Sequence, residues 1–222
     1  MRAPVVIINF KAYAEVQGDR AIALADACQE VSDDTGVIIA VCPPTTELSS
    51  VSRAVTVPVF AQHVDAKRPG AATGYVTPEL ARAAGASGTL LNHSERRMVL
   101  ADLAMAVQLC KEAGLTTCVC TDTRSTSAAA ASLDPDIIAV EPPELIGGDI
   151  SVTDASPEIV SDAVTAVHRI DEGIQVLCGA GIKNGRDVKK AMELGASGVL
   201  LASGVVKATQ PRKVLADLVQ FI

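Results

Sequence analysis

The chain has 222 residues, 49% of them hydrophobic and 20% charged, with a formal net charge of -7. That charge argues against general nucleic-acid binding, which depends on clustered Lys and Arg neutralising phosphates, so an anionic ligand would need locally placed positive potential. No stretch offers ~18 uninterrupted apolar residues, and the opening MRAPVVIINFK is too short an apolar run for a secretory signal, so the expected protein is soluble, cytoplasmic and without a membrane partner.

Short apolar runs alternate with helix-period stretches along the chain, the pattern of repeated βα units. Strands are predicted at 5–10, 37–42, 59–62, 88–92, 116–120, 136–140, 175–178 and 198–202, several apolar throughout, as parallel strands buried on both faces should be. The first helix carries Ile22, Ala25, Cys28 and Val31 at three-residue steps, with Leu24 widening the face. Thr77-Pro78-Glu79 reads as an N-cap with proline at the first helical position, and that helix stops at Gly85. Leu100, Leu103, Val107 and Cys110 mark a helix ending at Gly114. Ser156-Pro157-Glu158 opens another, one starts near Asn184 and stops at Gly195, and the last runs from Gln210-Pro211 to the C-terminus.

GASGTLLNHS at 85–94 is similar to GASGVLLASG at 195–204, a separation of four βα units. Eight units in this length favour one α/β domain folded as a closed (β/α)8 barrel over 1–222, with an open sheet as the alternative. The six cysteines show no CxxC spacing and two of them, Cys118 and Cys120, lie in an apolar run, so free and mostly buried thiols are expected.

Barrel enzymes build their sites on the loops after the carboxyl ends of the strands. Alternation along the first strand puts Asn9 and Lys11 on the face of Val5 and Ile7, which would raise a cation into the barrel mouth. The fourth strand ends in Asn92-His93-Ser94-Glu95, the sixth in Val140-Glu141, the seventh in Gly179-Ala180-Gly181 and the eighth in Ala202-Ser203-Gly204. Lys11, His93 and Glu141 each have a bland reading as solvated or structural loop residues. Their common position at one end of three strands favours a site. Gly179, Gly181 and Gly185 do not have dinucleotide spacing and read either as tight turns or as a small anion cradle, with Ser203-Gly204 contributing. His63 could join His93 in a metal site, but no carboxylate or third histidine has helical ligand spacing, so no metal site is expected, and His168 reads as structural.

These segments resemble a known family, triosephosphate isomerase in its short archaeal form. INFKAY at 8–13, AQHVD at 61–65, LLNHSERRM at 90–98, VEPPELIG at 140–147, LCGAGI at 177–182 and LLASGV at 200–205 resemble its segments in order, across nearly the whole chain. The resemblance implies a TIM barrel that interconverts dihydroxyacetone phosphate and D-glyceraldehyde 3-phosphate without cofactor or metal. The family is itself a standard illustration of pKa tuning, so its roles are carried over rather than predicted. Glu141 matches the base that removes a proton beside the carbonyl, His93 the neutral electrophile, Lys11 the cation that stabilises the enediolate, and Asn9 a substrate contact. Glu95 resembles the partner carboxylate of the lysine. A helix start at Ser94-Glu95 is expected to hold the His93 pKa down. By the same resemblance the phosphate meets Ile146 and Gly147 in a lid, then Gly181, Ala202 and Ser203. Gly148-Asp149 departs from the family's usual threonine-glycine pair, and Glu144 reads as a solvated bystander. The loop DAKRPGAATG at 65–74 resembles a contact loop of a homo-oligomer, dimer or tetramer. Two other readings compete: a Schiff-base aldolase-type barrel with Lys11 as nucleophile, and a catalytically idle phosphate-binding barrel.

Overall fold

The computed structural model describes residues 6–142, 157–179 and 181–222. Eight strands occur where apolar runs predict them: β1 (Val6–Asn9), β2 (Ile39–Cys42), β3 (Phe60–Ala61), β4 (Gly88–Leu91), β5 (Thr116–Thr121), β6 (Ile137–Val140), β7 (Gln175–Cys178) and β8 (Gly198–Leu201). Every pairing is parallel, in the order β2-β1-β8-β7-β6-β5-β4-β3. A parallel bridge between Val41 and Val59 joins the two ends of that order, so the sheet is a barrel rather than the open alternative.

β3 is shorter than predicted, two residues rather than four. Across the gap to β2 the Val41 N–H donates to the Pro58 carbonyl at 3.0 Å, and Pro58 has no N–H with which to extend the ladder before Val59.

Strand alternation sorts the core into two sets. Ile7, Leu90, Ile137, Leu177 and Leu200 meet inside the barrel with the small Ala40, Ala139, Cys118 and Cys120. Neighbours on the opposite strand faces, such as Ile8, Val41, Val119 and Ile138, pack outward beneath the helices. Phe60 is the single aromatic of the inner set, and it needs Gly88 beside it. A Cβ at residue 88 would lie 2.6 Å from the Phe60 ring and 2.7 Å from the Thr116 carbonyl. All six cysteines are buried and outside any disulfide.

The described helices are α1 (Asp19–Thr35), α2 (Leu48–Ala54), α3 (Pro78–Ala83), α4 (Leu100–Glu112), α5 (Arg124–Ala131), α6 (Pro157–His168), α7 (Gly185–Glu193), α8 (Ser203–Val206) and α9 (Pro211–Val219). Thr77 caps α3 as predicted, its hydroxyl accepting the Leu80 N–H at 3.2 Å. α1 buries Ala21, Leu24, Ala25, Cys28 and Val31, while Ile22 lies at the margin of that face. One expected element is absent: no helix starts at Ser94-Glu95. Those residues form a turn closed by the Arg96 N–H to the His93 carbonyl at 2.8 Å, and α4 begins only at Leu100. α9 stops at Val219 rather than at the chain end. Among the described residues, no helix is long and apolar enough to cross a membrane.

Candidate active site

At the carboxyl ends of the strands, Asn9, Lys11, His93, Glu141, Gly181, Ala202 and Ser203 line one cavity of about 290 Å³. β1 delivers the first two. Asn9 is buried, and its Oδ1 accepts the Lys11 N–H at 3.0 Å. Lys11 turns the chain with a left-handed φ of 52°, uncommon outside glycine. Its side chain is only 11% exposed, and Nζ lies 3.0 Å from Glu95 Oε1.

His93 is fixed by the turn that follows it. Its Nδ1 accepts the Glu95 N–H at 3.2 Å, so in the neutral ring the hydrogen sits on Nε2. Nε2 faces Glu141 Oε2 across 3.6 Å, too far for a hydrogen bond. Burial, and then the Lys11 ammonium, push the His93 pKa below its ordinary 6.5, with Glu95 opposing. The direction matches the sequence expectation, but its cause is burial, because the turn at Ser94-Glu95 supplies no helix terminus.

Glu141 stands at the tip of β6, its N–H donating to the Thr121 carbonyl at 2.7 Å. The residue is 5% exposed. Burial raises its pKa to about 7, against the lowering effects of the Cys120 thiol hydrogen bond and the Lys11 charge. Its Oε2 is buried and accepts no hydrogen bond. A carboxylate held this way is a stronger base than one in water.

The glycines divide. Gly179 lines the cavity and also makes room for Glu141, since a Cβ there would lie 2.3 Å from Glu141 Cγ. Gly185 is outside the cavity, packed where a Cβ would meet the Asp217 carbonyl at 2.2 Å, with its N–H bonded to Asp217 Oδ2 at 3.0 Å. Gly181 does line the cavity, with a left-handed φ of 69°. After it, the nearly buried Asp187 carboxylate accepts the Lys183 and Asn184 N–H groups at 2.9 and 3.3 Å, while Asn184 caps α7. Ala202 and Ser203 open α8, whose first N–H groups have no acceptor within the helix. Ile146, Gly147, Glu144 and Asp149 lie outside the described residues.

Tyr13, Ile182 and Lys183 also line the cavity and were not foreseen. Tyr13 follows a strand end by four residues, and Lys207 sits over its ring at 4.3 Å. His63 pairs with Asp65 at 3.2 Å and lines a separate cleft with Arg96 and Met98. A buried base, a neutral N–H donor and an ammonium around one small cavity suit proton abstraction beside a carbonyl.

Comparison with known proteins agrees with that chemistry. The family model described as triosephosphate isomerase matches residues 4–222. The triosephosphate isomerase of Methanothermobacter thermautotrophicus is 52% identical over 216 residues, covering 97% of this chain and 94% of the relative. That of Methanopyrus kandleri is 52% identical over 221 residues, covering 99% and 98%. That of Methanosarcina acetivorans is 46% identical over the full length of both. The chain belongs to the triosephosphate isomerase family.

Proposed function

We propose that Glu141, His93 and Lys11 carry out the interconversion of dihydroxyacetone phosphate and D-glyceraldehyde 3-phosphate, the family's step in glycolysis and gluconeogenesis. Ionised Glu141 takes a proton from the carbon beside the substrate carbonyl and returns it to the neighbouring carbon. The electron pair moves onto oxygen as the enediolate forms. The His93 Nε2–H protonates that oxygen while the imidazole takes up the hydroxyl proton of the neighbouring oxygen, so the hydroxyl proton changes oxygens without an imidazolium forming, and the Lys11 ammonium stabilises the enediolate charge. Asn9 orients the substrate. Gly181, Ala202 and Ser203 hold the phosphate with backbone N–H groups, joined by Ile146 and Gly147. The sequence requires neither cofactor nor metal. The observation that carries this reading is buried Glu141 facing the Nε2 of a histidine whose Nδ1 is already occupied as an acceptor.

The Schiff-base reading loses support from the position of Lys11. Its neighbour is the Glu95 carboxylate, not the cation or apolar pocket that frees a lysine amine for attack. Borohydride trapping with a carbonyl substrate is expected to leave Lys11 unmodified.

A coupled isomerisation assay on wild type and Glu141→Asp tests the main reading. The shorter side chain withdraws the base, and kcat is expected to fall about 10²-fold, since a displacement near 1 Å can cost that much. An idle phosphate-binding barrel would have no activity to lose.

The same reading makes the protein a cytoplasmic homo-oligomer, dimer or tetramer. In support, Asp65 pinches the base of the 65–74 loop. Its N–H donates to the Val76 carbonyl at 2.8 Å, and its Oδ2 accepts the Val76 N–H at 2.7 Å. The loop tip and Tyr75 are left exposed.

A further inference from the structure

Lys11 reaches the cavity from a backbone conformation that a side chain disfavours, with φ at 52°. Such a conformation persists only where neighbours over-determine it. Two contacts do so here. Asn9 Oδ1 accepts the Lys11 N–H from the same strand. The second comes from 51 residues away: Gln62 Nε2, just beyond β3, donates to the Lys11 carbonyl at 2.9 Å and to the Cys42 carbonyl at 2.9 Å. An amide nitrogen has two hydrogens, so both are used. The Cys42 carbonyl also accepts the Phe10 N–H at 3.0 Å. The Gln62 amide thus joins the tops of three strands at the place where β2 and β3 share only one bridge.

We propose that Gln62 is a positioning residue for catalysis, its side-chain amide holding the Lys11 backbone in the left-handed turn that places the ammonium in the cavity. The inference rests on the reading of Lys11 as the cation that stabilises the enediolate. Substitution of a nearly isosteric apolar side chain, Gln62→Met, removes both donors. The Lys11 turn can then relax toward ordinary φ, and Nζ moves with it.

The test is a double-mutant cycle read by kcat/KM across pH on wild type, Gln62→Met, Lys11→Met and the double variant. Gln62→Met is expected to lower kcat/KM about 10-fold or more, a loss in keeping with small misplacements of catalytic groups. In the Lys11→Met background the same substitution is expected to cost nothing further. Lys11 also lowers the Glu141 pKa, so Gln62→Met should move the acid limb of the profile upward, which a purely structural defect would not do. An equal loss from Gln62→Met in both backgrounds, or an unmoved acid limb, overturns the role of Gln62. If Lys11→Met itself retains full activity, the reading of Lys11 fails instead. Should Gln62→Met not fold, Gln62→Glu, which presents acceptors to two carbonyls, goes through the same cycle with the same expected result.

Discussion

Glu141 and His93 face each other with their titrations displaced in opposite directions, the carboxyl up to about 7 and the imidazole below its ordinary 6.5. The form the proposed mechanism needs, ionised Glu141 beside neutral His93, is therefore gained as pH rises. kcat/KM is expected to climb through an acid limb near 7, measurable by initial rates across a pH series. The same shift has a cost in stability. The folded state binds the Glu141 proton more tightly than the unfolded chain, whose carboxyl has the ordinary value of 4.5. Below about 4.5 the group is protonated in both states and no difference arises. Between there and about 7 the folded state loses about 3 kcal/mol, and above 7 the loss is complete. Glu141→Gln should therefore be inactive yet more stable than wild type by up to about 3 kcal/mol near pH 8, with no gain near pH 4, as read by denaturant unfolding at the two pH values. Gly179→Ala is the complementary change. Its Cβ would collide with Glu141 Cγ at 2.3 Å, and kcat is expected to drop about 10²-fold as the base shifts. Lys11, His93 and Glu141 were legible in the sequence because each follows an apolar run. The task of Gly179 was not, since it depends on which side chain lies across from it.

At the level of elements, local chemistry was read correctly where it is local. Thr77 caps α3 through a residue three positions away, and the cap is visible in the sequence. Asn184 caps α7 and Asp187 answers it, forming a box that also ties down the segment after Gly181. Asn184→Ala should cost about 1 kcal/mol, a fall in Tm of roughly 3 °C for a chain of this size by calorimetry. Ser94-Glu95 was misread as a helix start because a polar pair after a strand is the usual signature of one. The His93 carbonyl takes the Arg96 N–H, and Asn92 Oδ1 takes the Met98 N–H at 3.0 Å, so the chain spends these residues on turns before α4. Side-chain acceptors that reach back over several residues leave no periodic trace.

For the whole molecule, the count of eight βα units followed from periodicity alone, since buried parallel strands and amphipathic helices leave different patterns. The proposed association is written less plainly. Val99 and Leu100, adjacent at the head of α4, are 66% and 63% exposed, and adjacent large apolar residues on a surface suit an interface. Leu100→Lys is expected to shift sedimentation toward smaller species than wild type. The closure of the ring at Val41 and Val59 also gives the barrel a place to breathe. β5 is held on both sides by four-residue ladders to β4 and β6, whereas the Val41 N–H crosses to Pro58 where the ring closes on one bridge. In deuterium, the Val41 amide should exchange well before those of β5, so that the fold opens along a predetermined line rather than at random. That line ends at Gln62, whose amide reaches the Lys11 carbonyl, and a covalent staple across it would stiffen the cavity wall on that side while leaving the Glu141 wall untouched.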